Sequence, residues 1–146
     1  MVVHINIPGK PIGKARPKFS RQGNFVKTYT PEKTVNYENF VKMCWMQTED
    51  AEKLHGNICA VIVARFSIPK AVSKKKRKEL NENYCPKKPD CDNIAKSILD
   101  ALNGIAYDDD AQIVSLDVSK LYSDTEEGVD LYMTEVSDYG KNLPKL

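Results

Sequence analysis

The segment from Ile58 to Ile68 constrains this chain more than any other stretch. Ile58, Ala60, Ile62, Ala64, Phe66 and Ile68 alternate with Cys59, Val61, Val63, Arg65 and Ser67. A period of two over eleven residues predicts a long β-strand, and Pro69 ends it because proline cannot donate to a sheet ladder. Around that strand the pattern switches between strand and helix. Val3, Ile5 and Ile7 predict a short strand over Val2 to Ile7. Its polar face carries His4, for which a structural role is expected because it has no partner at ligand spacing. Thr30-Pro31-Glu32 reads as a helix start, with Thr30 as N-cap and Pro31 at the first helical position. Tyr37, Val41, Cys44, Trp45 and Thr48 then share one helical face, and the helix is expected to run to about Leu54. Spacing does not separate a core role for this face, Trp45 included, from a dimer surface.

Further along, Ser73 is placed to cap a short helix over residues 73–80. A second amphipathic helix is expected over Asp92–Asn103, capped by Asp92, with Ile94, Ala95, Ile98, Leu99, Ala101 and Leu102 as its apolar side and Gly104 just past its end. A strand with Val114, Leu116 and Val118 on one face should follow, then a hairpin loop around residues 123–128 and a last strand over Leu131 to Val136. Residues 8–30, rich in Pro, Gly and basic groups, predict a loop or an irregular hairpin. The expected class is α/β (α+β): one domain of 146 residues with a mixed β-sheet packed with helices.

The net charge of +2 conceals a strong polarity. Residues 1–31 hold six basic groups and no acidic one, and residues 70–88 hold eight basic against two acidic. Residues 89–146 reverse this, with thirteen acidic against four basic. Basic segments attract a polyanion, whereas an acidic patch repels it unless a cation lies between. Lys10, Lys14, Arg16, Lys18 and Arg21 in the first segment are candidate phosphate contacts. So are Lys74, Lys75, Lys76, Arg77, Lys87 and Lys88 in the second.

The acidic segment begins with Asp90-Cys91-Asp92 at a helix start, with Lys96 one turn later, and a second cluster, Asp108-Asp109-Asp110, follows the helix. Clustered carboxylates suit a hard divalent cation, and a nearby lysine suits a reaction that builds charge on phosphate oxygens. Ordinary roles compete: an Asp at a helix start is commonly an N-cap, and Asp92 and Lys96 could simply form an i,i+4 ion pair. Spacing alone does not bring Asp110 against Asp90 and Asp92. Cys44, Cys59, Cys85 and Cys91 lack zinc spacing and are expected as free thiols, with Cys44, Cys59 and Cys91 turned to the core. No apolar run of membrane-spanning length and no signal-peptide pattern occurs, so the expected location is the cytosol, with no membrane contact.

Asp90-Cys91-Asp92-Asn93-Ile94-Ala95-Lys96, with Asp100-Ala101-Leu102-Asn103-Gly104 and then Asp109-Asp110-Ala111-Gln112, resembles the RusA family of Holliday-junction resolvases. The likeness is closest over residues 89–120. It departs at Cys91, where the family usually has an aliphatic residue, and at Pro89, where some members have a basic one. The resemblance implies a RusA-like homodimeric endodeoxyribonuclease that uses Mg²⁺, or Mn²⁺ as a substitute, and resolves four-way DNA junctions by paired nicks in recombination and repair. It implies that Asp90, Asp92 and Asp110 are catalytic and hold the metal, that Lys96 is catalytic, and that Asp100 and Asp109 support them. Two other classes remain. One is a metal-dependent phosphoryl or glycosyl transferase, against which stands the lack of a Gly-rich phosphate loop. The other is a non-catalytic nucleic-acid-binding protein.

Overall fold

The computed structural model describes residues 2–16, 18–29 and 31–137, without the side chains of Lys18, Gln22 and Tyr29. The elements in order are β1 (Val2–Pro8), β2 (Lys18–Gln22), β3 (Phe25–Tyr29), α1 (Glu32–Gln47), β4 (Ile58–Ser67), α2 (Lys74–Leu80), α3 (Cys91–Ala101), β5 (Ile113–Ser123) and β6 (Gly128–Glu135). A 3₁₀ turn, Asp110–Gln112, leads into β5. Four strands form one mixed sheet in the order β1-β6-β4-β5, and β2 and β3 form a separate antiparallel hairpin.

β4 occupies the interior of the sheet, antiparallel to β6 and parallel to β5. Its alternating residues explain the position. Ile58, Ala60, Ile62 and Ala64 are fully buried, and Cys59, Val61, Val63 and Arg65 are half-buried. The parallel partner is reached through α2 and α3, as a parallel crossover requires. Connecting β5 to β6 by a hairpin, as the sequence suggests, is incorrect: the two strands flank β4 on opposite sides, and residues 124–127 carry the chain past its end. A strand apolar on both faces is best satisfied with a neighbour on each edge, and β4 takes that place from β5.

Helices cover one face of the sheet. Tyr37, Val41 and Trp45 of α1 and Ile94, Ile98 and Leu102 of or next to α3 join Ile5, Ile7, Ile62, Leu131 and Met133 in a single core. Trp45 therefore belongs to the interior and not to a dimer surface. On the uncovered face Asp130 accepts from Asn6 and Arg65 and pairs with His4, whose ring stacks on Tyr132 with centroids 4.4 Å apart. His4 is structural, as expected.

Three helix boundaries differ from expectation. α1 stops at Gln47, because Thr48 turns to extended geometry and its hydroxyl bonds the Cys44 carbonyl. Two acids, Glu49 and Asp50, follow at an end where the helix dipole disfavours them. Leu54 then leaves the helical path to enter the core, its N–H donating to Ala106 at 2.7 Å. α3 is capped by Asp90 and not Asp92, with Ile94 N–H reaching the Asp90 carbonyl at 3.0 Å. α3 also ends at Ala101, two residues early, since Asn103 bridges to Tyr107. Ser73 caps α2 as expected, its hydroxyl accepting from Lys76 N–H. Thr30 lies outside the described residues. Among those residues no helix is long and apolar enough to cross a membrane.

The core makes a direct prediction. Ile98 is fully buried, so Ile98→Ala should lower the unfolding free energy by about 2–5 kcal/mol, read as a lower urea midpoint with an unchanged slope.

Candidate active site

Burial of Ile94, Ile98 and Leu102 sets the rotation of α3, and that rotation decides where its polar residues point. Asp92, Lys96 and Asp100 fall on the flank facing β5. There they line, with Asp110, a cavity of about 400 Å³ whose apolar wall is Ala95, Leu99, Ile113 and Leu116. The fold thus brings four sequence-predicted residues to one concavity: Asp92, Lys96 and Asp100 from the helix and Asp110 from the turn beyond it.

Asp90, two residues before Asp92, lines a second cavity of about 560 Å³, where Lys10, Lys14, Lys33 and Lys88 contribute positive charge, with Asn93 beside it. The two ordinary readings of the motif do not hold. Asp90 is the N-cap residue, yet its side chain makes no capping bond. Among the described residues Lys96 enters no ion pair, so the i,i+4 bridge to Asp92 is not made. Cys91 is half-buried with its thiol toward the Val118 carbonyl at 3.8 Å, away from a ligand role.

The second acidic cluster is held by a dense set of bonds. Asp109 caps the 3₁₀ turn, accepting from Ala111 N–H at 3.0 Å. The Gln112 side-chain oxygen accepts from the N–H groups of Asp108 and Asp109, and its amide donates to the Gly56 carbonyl at 3.0 Å. Asn103 accepts from Asp110 N–H at 3.1 Å. Tyr107 is fully buried and donates to the Leu99 carbonyl at 2.5 Å, which ties this turn to the end of α3. Asp108, exposed, pairs with Lys53. Asp109 thus sets the shape of this turn, and Asn103 and Gln112 act with it. Their place in the motif is visible in sequence, but what they hold is not.

Charge within the cluster is unbalanced. A side-chain hydrogen bond donated to Asp109, followed by desolvation and the negative charges of Asp109 and Asp100, holds the Asp110 carboxyl above its ordinary range. The Ala111 N–H holds Asp109 below it. Among the described residues no three Asp, Glu, His or Cys side chains converge closely enough to enclose an ion. The donor chemistry nonetheless fits a hard cation, because the groups are carboxylates.

The basic loop before the hairpin is strapped to α3. Lys14 N–H donates to the Asn93 carbonyl at 2.9 Å, and buried Ser97 donates to the Ile12 carbonyl at 2.7 Å. Gly13 sits so close that a Cβ there would lie 2.8 Å from the Pro89 Cβ. The Lys14 ammonium pairs with Glu38 at 2.5 Å and Asp100 at 3.3 Å. Desolvation pulls its pKa down, but the two carboxylates outweigh that and hold it above the ordinary value. Lys14 is thus committed to an internal ion triad joining this loop, α1 and α3. Lys120, with no sequence signal to mark it, fixes the entry to α3 by donating to the carbonyls of Lys87 and Pro89.

The remaining candidate phosphate contacts spread over two regions. Lys10, Arg16 and Arg21 are exposed on the N-terminal segment, and the Lys18 side chain lies outside the described residues. Lys74, Lys75 and Lys76 are exposed on α2, where Lys76 pairs loosely with Glu79. Arg77 bonds the Pro69 carbonyl, and Lys87 and Lys88 are exposed beside Asp90.

A mixed sheet with an acidic cavity and a lysine-lined neighbour defines a candidate phosphate-processing site, and comparison with known proteins gives it a family. The model of the family described as endodeoxyribonuclease RusA matches residues 8–133. The chain belongs to the RusA family of endodeoxyribonucleases. It is also similar to the uncharacterized protein YqaN of Bacillus subtilis (strain 168), at 33% identity over 139 residues that cover 92% of this chain and 97% of YqaN.

Gln112 lines neither of these two cavities yet orients two backbone groups of the acidic turn. Gln112→Ala should leave the thermal midpoint nearly unchanged and reduce DNA cleavage by about 100-fold, the cost of misplacing reacting groups by an ångström. Single-turnover rates alongside a melting curve check both halves.

Proposed function

We propose that this protein is a structure-selective endodeoxyribonuclease that cuts four-way DNA junctions by paired nicks. It acts as a homodimer in the cytosol and depends on Mg²⁺, with Mn²⁺ as a possible substitute. The observation that carries this reading is the gathering of Asp92, Lys96, Asp100 and Asp110 around one open cavity in a chain of this family. Lysines line the cavity next to it.

Asp90, Asp92 and Asp110 would hold the cation, with Asp100 beside them and Asp109 setting the turn. When bound, the cation supplies charge neutralisation at the scissile phosphate and a more acidic water. The rest of the work falls to the chain itself. Lys96, without a carboxylate partner among the described residues, directs its ammonium at charge developing on the phosphoryl oxygens as water attacks in line and the 3′ oxygen leaves. Lys10 and Lys88 seat the flanking backbone phosphates. Lys14, through its ion triad, keeps the basic loop against α3 so that both cavities serve one strand. Two symmetric nicks in a two-fold junction call for two sites related by a two-fold axis, which a C₂ dimer provides.

A nicking assay tests the reading, with a synthetic four-way junction and the matching linear duplex, in Mg²⁺ or EDTA. Cleavage should be confined to the junction, symmetric, and lost in EDTA. Asp92→Asn should lose at least about 100-fold in rate while still binding junction DNA. Equal cutting of linear duplex would keep the nuclease and remove the junction, and absence of cutting with any divalent metal would leave a binding protein. Salt dependence gives a separate check. Lys10→Ala with Lys88→Ala should weaken binding to all DNA sequences alike and reduce the slope of log K against log salt by about two, one for each phosphate contact.

A further inference from the structure

The β2–β3 hairpin is the part of the fold that the catalytic reading does not use. Its strands pack on each other and on no other element to a comparable extent. It turns through Gly23, at φ +60°, and pairs Phe19 with Thr28 and Arg21 with Val26 on one face, with Phe25 on the other. Phe19 is 73% exposed, Phe25 79% and Val26 65%. Large aromatic side chains left this open on an element that contributes nothing to the core have no folding role to explain them.

Two further observations say what would cover them. The hairpin's charged residues, Lys18, Arg21 and Lys27, are all basic, in a segment that lacks any acid. Its two feet, Ala15 on one side and Pro31 on the other, line the cavity that holds Asp90 and the lysines. An element rooted at the rim of the phosphate-binding cavity, carrying cations beside bare aromatic rings, matches the chemistry of a single-stranded or unstacked nucleic acid. Cations take the backbone, and rings take the π-faces of bases regardless of sequence. A continuous duplex offers no such faces, because its bases are stacked on one another.

We propose that the β2–β3 hairpin inserts Phe19 and Phe25 against unstacked bases at the branch point and thereby selects branched over linear DNA. This rests on reading the neighbouring site as one for branched DNA. Phe19 and Phe25 are here selectivity residues and not catalytic ones.

The test is a binding experiment in EDTA, so that it is independent of cleavage. A four-way junction carries 2-aminopurine next to the branch point, and a linear duplex carries it at the same sequence. Binding of the native protein should raise junction fluorescence several-fold, as the base leaves its neighbours, and leave the duplex signal flat. The double variant Phe19→Ala/Phe25→Ala should lose that rise and bind the junction about 10- to 100-fold more weakly, with duplex affinity within about twofold of native. Phe19→Tyr/Phe25→Tyr should restore both. An unchanged melting temperature shows that the double variant is folded, as its exposed side chains predict. A double variant that keeps the signal and the junction preference overturns the proposal, and so does a native protein that produces no rise. A fall in oligomer mass in the double variant with junction binding intact would assign the rings to a second copy of this chain, which also overturns it. A native protein that unstacks the base but never cuts in any divalent metal would sink the nuclease reading and leave the hairpin assignment standing.

Discussion

The rotation of α3 about its own axis is the constraint on which the site depends. Burying Ile94, Ile98 and Leu102 leaves one orientation for the helix, and in it Asp92, Lys96 and Asp100 share the flank toward β5 while Asn93 and Ser97 face the basic loop. A helix rolled by one residue would expose apolar side chains and bury charge, both costly. The hydrophobic core therefore does more than stabilise the fold. It aims the carboxylates and the lysine, and it presents the carbonyl and hydroxyl that hold the loop in place.

Around that helix the supporting bonds divide into two groups. Asn103, Tyr107, Asp109 and Gln112 hold the second acidic turn at the far end of α3. Lys14, Ser97 and Lys120 hold the basic loop and the entry segment at the near end. The acidic turn is where like charges crowd, since Asp110 is raised by its neighbours. Such crowding persists only where backbone geometry is fixed by other means. The hydrogen bonds to Gln112 and Asn103 supply that fixation from side chains that do not line the cavity.

Division of charge follows the same layout. Cations gather on the N-terminal loop, on α2 and at residues 87 and 88, while carboxylates gather along α3 and beyond it. The cavity beside Asp90 is where the two populations meet. A polyanion drawn to the lysines would be delivered to the edge of the acidic cavity, and a cation there would remove the repulsion that otherwise stops it.

Much of this was legible in the linear pattern, for a physical reason. Side-chain periodicity and capping chemistry are local, so Ile58–Ile68 read as a strand, Ser73 as a cap and the face of Tyr37, Val41 and Trp45 as apolar without knowledge of any partner. The spacing of Asp92, Lys96 and Asp100 along a helix was likewise enough to put them on one stripe. Other features depended on contacts between residues far apart. That β4 sits between β5 and β6, that Leu54 leaves a helix to plug the core, and that Asp110 joins Asp92 while Asp90 faces a different cavity were settled by the sheet order and by the path of the turn after α3. The commitment of Lys14 to Glu38 and Asp100, and of Lys120 to two carbonyls of the α3 entry, belongs to the same kind. A basic residue carries its charge in the sequence, but whether that charge meets solvent, a carboxylate or a carbonyl is decided only when the chain has packed.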